Sequence, residues 1–170
     1  MYRRVLLVSR LDGLSIVVVA SLGSLLALLL GDLVGVLVGL MVVGAGAMEL
    51  RGHGALKRHD ASGMRWLVRS QLFLLTVILV YCASRLGSFD SESVMGNLTP
   101  DMASVLQEAG IEQADIVPLV RMMFLTVYGS VAAITLLYQG GMALYYSRRT
   151  ARVAAFLAAP PPVAAHSPLA

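Results

Sequence analysis

Four long runs of apolar residues, each almost free of charge, constrain this chain more than any other feature. The first covers residues 13–30, the second 33–49, the third 66–86 and the fourth 117–147. A bilayer's hydrocarbon core is about 30 Å thick, and roughly 20 apolar residues in a helix cross it. Only helices and closed barrels satisfy the backbone there, and runs of this length specify helices. The expected fold is therefore all-α: a four-transmembrane-helix bundle. Composition agrees, with 58% hydrophobic and 14% charged residues against about 25% charged in ordinary soluble domains.

Gly31-Asp32 separates the first two runs, which together are too long for one span, and this pair is good turn chemistry for a tight helical hairpin. The fourth run has 26 uncharged residues between Arg121 and Arg148, about 39 Å of helix. A helix that long must tilt, kink at Gly140-Gly141 or protrude. The first run follows Arg3, Arg4 and Arg10 as a signal peptide would, but it exceeds a normal signal core. The nearest Ala-x-Ala pattern, Ala45-Gly46-Ala47, lies inside the second run. The expected organisation is an N-terminal cytoplasmic segment (residues 1–12), a transmembrane domain (13–157) and a disordered Pro/Ala-rich cytoplasmic tail (158–170) that includes Pro160-Pro161-Pro162.

Basic residues near span ends set orientation. Eleven of the thirteen fall on one side of a four-span topology: Arg3, Arg4 and Arg10; Arg51, Lys57, Arg58, Arg65 and Arg69; Arg148, Arg149 and Arg152. The 87–116 loop on the other side holds six acids. Both termini are expected in the cytoplasm, with the protein in the plasma (inner) membrane. The same clustering makes the net charge of +3 a topology signal rather than a nucleic-acid footprint. Within the outer loop, Thr99-Pro100-Asp101 reads as a helix start. Met102, Val105, Leu106 and Ala109 then share one face, and Gly110 is a stop. A short extracytoplasmic amphipathic helix is expected there, as a lid or a docking surface.

Small residues form the clearest pattern inside the spans. Ala20, Ser24, Ala27 and Gly31 recur at helical spacing, as do Gly35, Gly39 and Gly46, and Gly129, Ala133 and Gly140. Such stripes let helices approach closely, within one bundle or between copies. A second pattern is a polar layer near the inner face, formed by Glu49, Arg69, Gln71 and Gln139. Glu49 is expected to pair with Arg69 or Arg65 and Gln71 to bond Gln139; the alternative is an interfacial set with snorkelling stems.

Chemistry-bearing motifs are absent from the sequence: no P-loop, HExxH, GxSxG or nucleotide fingerprint occurs. One cysteine, Cys82, precludes an internal disulfide framework. His53, His59 and His166 lie outside the expected spans, which argues against an intrahelical haem. Glu49, His53, His59 and Asp60 match no closed zinc spacing. No catalytic residue, metal site or cofactor is expected. The expected partners are the lipid bilayer and a second copy or a heterologous membrane subunit. The leading functional expectation is a non-enzymatic accessory or scaffold subunit. The alternatives are an oligomeric small channel or passive transporter, and an enzyme acting on lipid or quinone near the inner face.

Overall fold

The computed structural model describes residues 2–90 and 113–158, with Gly96, Thr99, Asp101, Ser104, Val105, Glu108 and Gly110 between them. The fold is all-helical: α1 (Tyr2–Leu29), α2 (Leu33–Lys57), α3 (Gly63–Gly87) and α4 (Gln113–Ala158). All four helices are long and apolar enough to cross a bilayer. The outer amphipathic helix expected after Thr99 falls mostly outside the described residues, and so does the tail beyond Ala158.

The helices outrun the apolar runs. α1 starts at Tyr2 rather than near Gly13, and α2 continues past Glu49 to Lys57. The expected 49–65 loop shrinks to residues 58–62. Charge ends a hydrophobic run without ending a helix, because Arg, Lys and Glu are good helix formers. α4 has 46 residues and passes unbroken through Gly140-Gly141. At about 69 Å it is far longer than its neighbours.

Neighbours in sequence are neighbours in space: α1 packs on α2, α2 on α3 and α3 on α4. The α1/α2 hairpin turns at Gly31, whose φ of +73° suits glycine. Asp32 caps α2 by accepting a 3.0 Å bond from the Gly35 amide, and it pairs with Arg85 of α3 at 3.2 Å. Gly31 is exposed, so its role is the turn and not the packing stripe. The other small residues of this hairpin do mesh: Ala27 with Gly35, Ser24 with Gly39, and Val17 with Gly46. Ala20 is buried on the same face.

The closest approach is between α2 and α3. A Cβ on Gly52 would lie 2.9 Å from the Gly63 carbonyl oxygen. A Cβ on Gly63 would lie 2.5 Å from the Gly52 carbonyl oxygen and 2.7 Å from Leu56. Neither glycine belongs to the stripes read from the sequence. Between them Asp60 shapes the turn, accepting bonds from the Ser62 amide at 2.8 Å and the Ser62 hydroxyl at 2.6 Å. Those two bonds hold the Asp60 carboxyl below its ordinary range.

The α4 stripe behaves differently. Gly129 and Ala133 are exposed, and a Cβ on Gly129 or Gly140 would meet nothing within 4 Å. Helix α4 packs instead through aromatic rings, with Tyr81 of α3 6.1 Å from Tyr128 and Phe89 5.5 Å from Phe124. Small size at a regular interval permits close approach, but it does not say which helix approaches.

Helices α1 and α4 meet through side chains at the end where α1 starts and α4 finishes. Val5, Leu56, Met64, Leu67, Tyr146 and Val153 form a core there. The Tyr2 ring lies 5.4 Å from Phe156, and its hydroxyl donates to the Leu56 carbonyl. Away from this end the surface is apolar, with Leu22, Leu25, Leu37, Met122 and Leu137 all more than half exposed. A continuous surface of that kind is one that lipid, not water, would solvate.

Two outcomes follow. Gly63→Val should cost about 1–3 kcal/mol by overpacking, read as a lower thermal midpoint in detergent, while Gly129→Val should leave it unchanged. Asp60, with its pKa depressed on folding, adds stability above the ordinary carboxylate range and loses it as pH falls through the lowered value. Asp60→Asn should therefore flatten the acid limb of a stability-against-pH curve.

A buried polar cluster joining all four helices

Beside that core, to which Tyr146 belongs, each helix contributes a polar side chain to one cluster, Tyr138 from a position more than half exposed. Asp12 comes from α1, Glu49 from α2, Gln71 from α3, and Tyr138 and Tyr146 from α4. Glu49, Gln71 and Tyr146 are fully buried and Asp12 nearly so. The Gln71 amide nitrogen donates to Asp12 Oδ2 at 3.0 Å and to Glu49 Oε2 at 2.9 Å. The Tyr138 hydroxyl donates to Asp12 Oδ1 and the Tyr146 hydroxyl to Glu49 Oε1, both at 3.1 Å. Each carboxyl oxygen thus accepts one bond from a neutral donor. The two carboxyl groups converge on the same Gln71 amide nitrogen.

No ammonium or guanidinium joins this cluster. The ion pair of Arg85 with Asp32 lies at the far end. Arg10, Arg51, Arg69 and Arg148 are all exposed, and each lies two residues from its helix's cluster member, toward the basic end. A two-residue step turns a helix by about 200° and advances about 3 Å. The same spacing on every helix therefore points polar groups in and guanidinium groups out, in two adjacent layers. Arg51 lies against the Trp66 ring, 4.7 Å from its centroid.

The expected polar layer is thus partly regrouped. Glu49 and Gln71 come together, as hydrogen-bond partners. Arg69 and Arg65 face outward and make no ion pair with Glu49. Gln139 is buried, but its Oε1 has no partner and it does not bond Gln71. Gln71 Oε1 is unpaired as well, because the amide nitrogen makes both of that side chain's bonds. A residue at an apolar boundary can face either way, and helical phase decides: Arg69 and Gln71 differ by that 200°.

Three participants were missed in the sequence. Asp12 sits one residue before the first uncharged run and reads as part of a terminal flank. Its signal is that it is the only acid among three arginines there. Tyr138 and Tyr146 read as packing or interfacial aromatics. Their spacing of eight residues, close to two helical turns, is the usable clue.

His53 belongs to α2 rather than to a loop, and its Nδ1 lies 3.2 Å from the buried Ser9 hydroxyl. His59 is exposed in the turn, so the loose Glu49, His53, His59 and Asp60 set does not converge. Among the described residues no group of three or more His, Cys, Asp or Glu side chains could hold a metal ion.

No family model matches the chain, and no curated protein or solved structure does.

The cluster should behave as one unit. In a double-mutant cycle of Tyr146→Phe and Glu49→Gln, unfolding in detergent should show a coupling of about 0.5–3 kcal/mol. Gln139→Leu, which removes an unpaired buried oxygen, should raise stability by about 1 kcal/mol.

Proposed function

We propose that this chain is a multi-pass protein of the plasma (inner) membrane with both termini cytoplasmic, acting without catalysis as an accessory or scaffold subunit. The observation that carries the reading is the closure of the polar cluster. Its carboxyl oxygens are occupied by donors from the same chain, and Glu49, Gln71 and Tyr146 have no exposed surface. An enzyme working on lipid or quinone at this layer needs a cleft that admits its substrate, and a closed layer weighs against one. The same closure weighs against a solute path through a single bundle.

Orientation draws support from the layered arginines. Lys and Arg flanking short loops are retained on the cytoplasmic side, and this end carries the 58–62 turn and both helix termini. Along α2, Asp32 and Arg51 are 19 residues apart, about 28 Å, which matches the hydrocarbon thickness. The unpartnered α4 face around Gly129 and Ala133 supports a subunit role, because small residues promote helix association in lipid.

Two measurements test this. A cysteine replacing His59 should react with an impermeant maleimide only from the cytoplasmic side, and one replacing Ser88 only from the opposite side. Reversed labelling would refute the orientation. Native mass spectrometry in mild detergent should find the chain in a defined assembly, with itself or a heterologous membrane protein. A bare monomer under every mild condition would refute the subunit role.

A further inference from the structure

We infer that the Asp12–Glu49 carboxyl pair is a proton-binding site inside the bundle, reached from the basic end past His53 and Ser9. The inference goes beyond a subunit role and rests on the membrane reading only for the side from which the proton enters.

Charge balance carries the argument. Fully ionised, the pair holds two negative charges, with Glu49 fully buried and Asp12 nearly so. Every donor that faces it is neutral: the Gln71 amide from α3 and the Tyr138 and Tyr146 hydroxyls from α4. The basic groups of the adjacent layer, Arg10, Arg51, Arg69 and Arg148, lie on the opposite faces of their helices, exposed. Buried like charges without a cation are costly, and a proton shared between two carboxyl groups removes that cost. Gln71 Oε1, on the side chain whose nitrogen meets both acids, is buried and unpaired.

Access has a direction. On α1, Ser9 is one turn below Asp12, and on α2 His53 is one turn below Glu49. The two bond each other at 3.2 Å, Ser9 wholly buried and His53 half-buried. An imidazole accepts a proton on one nitrogen and releases one from the other, and a hydroxyl both donates and accepts. Toward the far end no charged residue occurs on α1 beyond Asp12, on α2 between Asp32 and Glu49, or on α3 between Gln71 and Arg85. The polar side chains that continue from the site toward the basic end are Ser9 and His53, and no net chemistry occurs: the proton that enters is the proton that leaves.

The test uses the full chain in phospholipid vesicles, with infrared difference spectroscopy reading the C=O stretch of a protonated carboxyl group. A deuterium-sensitive band should be present in the unaltered protein at neutral pH and should be lost or displaced in both Asp12→Asn and Glu49→Gln. Its absence from the unaltered protein would overturn the inference, and that reading needs no variant to fold. A band untouched by both substitutions would overturn it too. Raising sodium at fixed pH should leave the band in place; its loss would assign the site to a metal cation instead. His53→Phe should slow deuterium exchange of the band several-fold, and an unchanged rate would overturn the access route. Orientation and assembly do not enter the band's presence, so failure here and failure of the subunit reading are separate results.

Discussion

Two buried acids set the terms for this bundle. A carboxyl group taken out of water must be met by hydrogen-bond donors or be prohibitively costly. Asp12 and Glu49 have four oxygens, and the four bonds that meet them come from two helices other than their own. Gln71 and the two tyrosines are thereby fixed in rotation and height, and so are the helices that bear them. The glycine contacts set how near the helices come. The polar contacts set which way they face, which apolar packing in lipid does poorly because lipid tails and leucines are equivalent solvents for one another.

Helix number, approximate extent and the grouping of basic ends were legible in the sequence, because all three follow from hydrophobicity and charge along the chain. Helix ends were not, since Arg3 to Arg10 and Arg51 to Lys57 remain helical while leaving the apolar runs. The α1/α2 small-residue mesh was legible, because Gly35, Gly39 and Gly46 line one face of a helix with one near neighbour in sequence. The Gly52–Gly63 contact was hidden by its position in what reads as a charged loop.

The site was legible in half. Glu49 and Gln71 announce themselves as polar groups at the end of apolar runs. Arg69 announces itself equally well and points the other way. Separating them takes the angular phase of each helix relative to three others, which is a property of the assembled bundle. Asp12 needed the same knowledge: beside three arginines it reads as a flanking charge until the facing helices are in place.

The order of packing gives the molecule the form of a half-open book. Its spine is the α2/α3 crossing, where Gly52 and Gly63 bring backbones almost into contact. Its two covers are the α1/α2 and α3/α4 hairpins, and its fore-edge is held by Tyr138 on Asp12 and by the side chains that gather around Tyr2 and Tyr146. The spine is held by a backbone contact beside the 58–62 turn, and the fore-edge by side chains. Parting the α1/α4 edge therefore breaks side-chain contacts and leaves the Gly52–Gly63 backbone contact in place.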